Sequence, residues 1–150
     1  MEFLGALEQS GLARSLKASF VIYPVVNALH VLSIGMVLTS VMLIDFCILG
    51  VFQALDRQSF IALLRRVALT GFCGALLTGF AMFSIRANEY AAMPVFLAKV
   101  SLIVLAVLNF LFFLSLREGV SSPNLLRASA ALSLILWLGV LLCGRFIGFL

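Results

Sequence analysis

Residues 20–50 read FVIYPVVNALHVLSIGMVLTSVMLIDFCILG and carry no formal charge before Asp45. About 20 apolar residues cross a bilayer core at 1.5 Å rise each, so this run spans a membrane with tilt to spare. A chain built around such a segment has lipid for its solvent. The run also holds His30, the only histidine in the protein, with Tyr23 and Asn27 upstream on the same helical face. An imidazole therefore lies toward one end of the helix and a carboxylate, Asp45, toward the other.

The remaining composition agrees. The chain is 64% hydrophobic and 11% charged, against roughly 45–50% and about 25% in a soluble domain, and mean hydropathy is +1.24. One transmembrane domain over residues 1–150 accounts for the length. A net charge of +4 would suggest nucleic acid in a soluble chain. Here the basic residues flank apolar runs, as topology and anionic headgroups require, so the expected partner is the lipid bilayer and no nucleic acid. Cys47, Cys73 and Cys143 lie in or beside separate apolar runs without C-x-x-C spacing, and read as small packing residues rather than disulfide or zinc ligands. The first 19 residues are too polar for a cleavable signal, and the first apolar run is too long.

Outward from the central run, residues 2–19 place Phe3, Leu4, Leu7, Leu12 and Leu16 at roughly helical spacing. This predicts a short amphipathic helix on the membrane interface, its apolar side in the acyl boundary; a frayed terminus is the alternative. Pro24 suits the first turn of the long helix. Spans are expected at about 20–50, 66–86, 95–116 and 128–149, joined by RANEYAAMP (86–94) and REGVSSPN (117–124). The expected fold class is all-α, an integral membrane antiparallel four-transmembrane-helix bundle with a short N-terminal interfacial amphipathic helix. In the second span Gly71, Ala75 and Gly79 recur every four residues, as do Thr70, Gly74 and Thr78. Small residues at that spacing let helix backbones approach closely, which predicts a buried helix. Arg57, Arg65, Arg66, Arg117 and Arg127 face Arg14, Lys17, Arg86 and Arg145 across the membrane, which places both termini outside the cytoplasm.

Helix direction then sorts the polar residues by depth. An outer layer collects Tyr23, Asn27, His30, Arg86, Glu89, Lys99 and Arg145, while Asp45 and Asn109 fall toward the opposite surface near Arg65 and Arg66. Ionisable groups at membrane depth cost about 2.5–3.5 kcal/mol each on insertion scales, so they face a cavity or a partner. Each has a plain structural reading too: Lys99 snorkelling to headgroups, Arg145 anchoring at the interface, Asp45 pairing with Arg65 or Arg66, His30 hydrogen-bonded in the core. As a set, the outer groups suit an anionic or carboxylate-bearing ligand. His30 could ligate haem iron, with Lys99 and Arg145 on the propionates and Asn27 and Tyr23 beside them; the same groups could hold a quinone headgroup or relay protons. Met36 and Met42 read as packing residues rather than copper ligands.

The stretches YPVVNALHVLSIG and DFCILG (within 23–50), LTGFAMF (77–83), FLAKVSLIVLAVLNF (96–110) and GRFIGF (144–149) carry a resemblance covering nearly the whole chain. It is similar to a widespread group of small bacterial four-helix membrane proteins that bears a domain-of-unknown-function label. The resemblance implies that fold and a bacterial inner membrane, and no activity. Cys47 departs from it, since the group more often has arginine there. His30 and Lys99 also resemble, more distantly, the membrane parts of CopD-type copper proteins and the HemJ type of protoporphyrinogen oxidase. In the HemJ type a second histidine lies about three turns beyond the lysine, where this chain has Asn109, so bis-histidine ligation within one protomer is impossible.

Three functions follow as expectations. The first is a membrane redox component in electron transfer, associated with haem b or quinone. The second is a non-catalytic subunit or anchor, its small-residue helix docking a homo-oligomer or larger membrane complex. The third is a transporter or channel for protons, ions or a small solute, with His30 and Asp45 about 22 Å apart along one helix. Catalytic residues are not assigned.

Overall fold

The computed structural model describes residues 2–52, 56–116 and 122–149. Among them the protein is all-α: α1 Glu2–Glu8, α2 Gly11–Ala18, α3 Ile22–Leu49, α4 Arg57–Phe83, α5 Ala87–Ala92, α6 Pro94–Ser115 and α7 Pro123–Ile147. The helices α3, α4, α6 and α7 are long and apolar enough to cross a membrane, so the fold class is a four-span membrane bundle.

Local chemistry sets the helix ends. The Ser19 hydroxyl accepts from the Val21 and Ile22 N–H groups at 3.3 and 3.1 Å, capping α3. At its far end Gly50 takes φ +94°, and the Gly50 and Val51 N–H groups return to the carbonyls of Cys47 and Phe46. That paired closure requires the left-handed conformation that glycine adopts freely. Asp56 precedes α4 and its Oδ2 accepts from the Ser59 N–H at 3.3 Å; the Ser59 hydroxyl and then this N–H hold the carboxyl below its usual range.

Four boundaries depart from the sequence expectation. The second long helix starts at Arg57 rather than 66, because the Asp56 cap lies one polar helical segment ahead of the apolar run. The fourth starts at Pro123 rather than 128, with proline in the first turn, where its missing N–H is harmless. The connection at 86–94 contains a helix, α5. The expected interfacial helix 2–19 is two helices, broken where the Ser10 hydroxyl accepts from the Ala13 N–H and starts α2. Its apolar residues also divide: Ala13 and Leu16 are buried within the protein, whereas Phe3 and Leu12 are exposed. Residues 117–121, including Arg117 and most of the expected loop 117–124, lie outside the described residues.

By its contacts the chain forms two compact units, Met1–Val37 with Val67–Met93, and Leu38–Arg66 with Pro94–Leu150. In the first unit α3 and α4 run antiparallel. A Cβ added at Gly71 would meet Met36 Cβ at 2.8 Å and the Ser33 carbonyl at 3.0 Å; one at Gly74 would meet Ser33 Oγ at 2.6 Å. A Cβ at Gly79 would meet His30 Cε1 at 3.0 Å. The face of α4 in contact is thus 71, 74, 78 and 79, which follows 3.6 residues per turn. Ala75, placed on the expected four-residue stripe, is half-buried. Against this pair α1 packs on α5, where Glu8 Oε1 accepts from the Asn88 N–H at 2.9 Å.

In the second unit α6 and α7 pack along their lengths as an antiparallel pair, with Lys99 beside Gly144, Leu102 beside Gly139 and Asn109 bonded to Ser129. Cys47 and Ile48 of α3 join Ile61 of α4 and Ala130 of α7 in a buried apolar cluster, flanked by Phe60, Phe113 and Leu126.

Candidate functional site

Polar side chains inside the helices gather in three places. The first is on α3 and α4. His30 Nδ1 lies 2.8 Å from Thr78 Oγ1, and Thr78 Oγ1 donates to the Gly74 carbonyl at 2.6 Å. A hydroxyl has one proton, and a helical threonine commonly gives it to the carbonyl one turn back. With the proton placed so, the oxygen accepts from His30 Nδ1, and the ring is the Nδ1–H tautomer with its lone pair on Nε2. Gly79 makes room for this ring, since any larger residue would press on Cε1. Sequence reasoning placed Thr78 in a packing stripe; that it faces the imidazole is a matter of which way α4 is turned.

Above this pair, toward the start of α3, Tyr23 neighbours Tyr90 of α5. Burial pushes the Tyr90 phenol up, with Tyr23 beside it adding to the effect. Phe83 stacks on Tyr90 with ring centroids 6.3 Å apart, and Arg86 pairs with Glu89 at 3.3 Å on an exposed edge. Both Tyr23 and Asn27 are exposed. Of the expected outer layer, the first unit therefore holds Tyr23, Asn27, His30, Arg86 and Glu89.

The second place belongs to the other unit. Lys99, near the start of α6, is half-buried and reaches past Gly144, to which an added Cβ would bring its Nζ within 3.2 Å. Arg145, next along α7, is exposed and lies 4.6 Å above the centre of the Phe149 ring. A guanidinium held over an aromatic face at a helix end is an interfacial anchor by geometry.

Asp45, Asn109, Ser129 and Ser133 make up the third, deep in the second unit. Asn109 Nδ2 donates to the Ser129 carbonyl at 3.1 Å and Ser129 Oγ donates to Asn109 Oδ1 at 3.1 Å, so the pair satisfies itself. One turn along α7, the buried Ser133 hydroxyl lies close to the Asp45 carboxyl. Asp45 is only 4% exposed, and its Oδ2 has no hydrogen-bond partner among the described residues. The sequence pattern suggested Arg65 or Arg66 beside this carboxyl. The neighbour found there is a serine of the last helix, a residue whose only sequence signal was its spacing of four from Ser129. Asn109 also borders an open groove of about 320 Å³ between α6 and α7, otherwise lined by leucines and Phe112.

Among the described residues no three His, Cys, Asp or Glu side chains come together as a metal site. Fold and site together define a small all-α multi-pass membrane protein with one internally oriented imidazole. No protein-family model, curated protein or solved structure matches the chain.

Proposed function

We propose that this protein is a membrane redox component that associates with haem or a quinone through His30. It would lie in a bacterial inner membrane with both termini outside the cytoplasm. The supporting observation is the relay from the Gly74 carbonyl through Thr78 to His30 Nδ1. Holding the Nδ1 proton fixes the ring orientation and leaves Nε2 as the basic nitrogen, which is how iron-ligating imidazoles are oriented by a second residue. The same nitrogen accepts a hydrogen bond from a quinol hydroxyl. Bound haem or quinone would supply the one-electron chemistry.

The docking-subunit alternative drew on the small-residue face of α4, and α3 of the same chain covers that face at Gly71, Gly74 and Gly79. This favours the redox reading. The test is absorbance of the detergent-purified protein, oxidised and reduced, with haemin or a soluble quinone added. A Soret band or quinone binding that disappears in His30→Ala supports the assignment. Indifference of the wild-type protein to both additions overturns it.

A further inference from the structure

The relay at His30 leaves unexplained the buried carboxyl at the other end of α3. Asp45 is 4% exposed, and its nearest turn on α3 runs into the apolar cluster of Ile48, Ile61 and Ala130. An ionised carboxylate has about four acceptor positions to fill. Ser133 brings one hydroxyl near, and Oδ2 is closed off from solvent with no donor among the described residues. The Ser129 hydroxyl, one turn from Ser133, is engaged by Asn109 Oδ1. Leaving a full charge there has a penalty of several kcal/mol.

Something must neutralise the group. A sodium-sized cation takes about six oxygen ligands, and the carboxyl and the Ser133 hydroxyl are far short of that. A proton needs no cage. The ionisable groups on the helices packed around Asp45 are Arg57, Arg65 and Arg66 of α4, Arg127 of α7 and the Cys47 thiol of α3; Arg57, Arg66 and Arg127 are exposed. We propose that Asp45 is a proton-binding site inside the membrane, taking up one proton at Oδ2 and releasing it, with the Ser133 hydroxyl beside the carboxyl. The exchange is –COO⁻ + H⁺ ⇌ –COOH, with no other group changed. It stands apart from the haem or quinone assignment, because it involves neither His30 nor an added cofactor.

Infrared difference spectroscopy of the full-length protein in liposomes tests it, by the carbonyl stretch of a protonated carboxylic acid followed as pH is raised. The expected result is one such band at neutral pH that shifts in D₂O, vanishes in Asp45→Asn and is lost under alkaline conditions. In Ser133→Ala the band should remain and change frequency. Asp45→Asn removes the charge without changing shape and should fold; if it does not, Asp45→Glu serves instead and should displace the band. Absence of the band from the wild-type protein at neutral pH means an ionised Asp45 paired to an arginine, and overturns the proposal. Loss of the band on adding sodium ions means a metal-cation site, and overturns it equally.

Discussion

His30 Nδ1 and Thr78 Oγ1 are joined by a 2.8 Å hydrogen bond, and the same hydroxyl lies 2.6 Å from the Gly74 carbonyl, an arrangement that makes the imidazole the donor when the threonine proton is on the carbonyl. Thr78→Val removes the acceptor and keeps the shape. The Nδ1–H tautomer should lose its preference, and stability should fall by about 1 kcal/mol, the usual worth of one such bond. Nitrogen NMR reads this directly, since the chain has a single histidine. Thr78→Ser should keep the wild-type signal. An unchanged tautomer in the valine variant would show that the hydroxyl does not set it.

Close approach of α3 and α4 depends on absent side chains. At Gly71 an added Cβ meets Met36 Cβ at 2.8 Å and backbone at 3.0 Å, neither of which can swing away. Gly71→Val should therefore cost about 1–3 kcal/mol by overpacking, measured as unfolding in mixed micelles. Gly35 has nothing within 4 Å of the same added atom. Gly35→Ala should be neutral or stabilising by up to about 1 kcal/mol, since it only removes helix-opposing chain freedom.

The N-terminal helices are held by a carboxylate. Glu8 accepts from the Asn88 N–H at 2.9 Å, and this bond keeps its carboxyl below the ordinary 4.5. A depressed native value means the contact contributes fully above the unfolded value and is lost as pH falls through the native one. The protection factor of the Asn88 amide, the observed exchange rate set against the intrinsic one at each pH, should be high at neutral pH and fall in acid below the ordinary 4.5. Glu8→Ala should show little protection at every pH. Protection that persists in that variant would assign the docking of α1 to apolar contact alone.

Asn109 and Ser129 exchange two hydrogen bonds across α6 and α7. Polar pairs between membrane helices couple by about 0.6 kcal/mol on average and up to about 1.7. A double-mutant cycle with Asn109→Ala and Ser129→Ala should fall in that range, toward its upper end because the pairing is reciprocal. Additive losses would show that lipid-facing solvation replaces the bond.

Much of the architecture was legible in the residues. Four apolar runs between charged connections predicted four spans; the glycines of 67–85 predicted a buried helix, and they do bring α4 close to α3, but most of α4 is not buried. Helix starts were less legible, because Asp56 and Pro123 begin helices several residues before their apolar stretch. Polar partnerships were least legible. Ser129 and Ser133 read as small packing residues, yet Ser129 bonds Asn109 and Ser133 lies close to the Asp45 carboxyl. The outer layer drawn at a single depth from helix direction falls in two units, His30 with the tyrosines in one and Lys99 with Arg145 in the other.

The sequence by itself determined that the chain is helical, lipid-solvated and four times membrane-spanning. Those properties depend on run length and on the exclusion of charge from hydrocarbon, both of which are local and add along the chain. Only the tertiary structure decided that Thr78 orients His30 and that Ser133 meets Asp45. A helical period orders the side chains on one cylinder, but the rotation of each cylinder against its neighbour comes from packing between residues far apart in the chain.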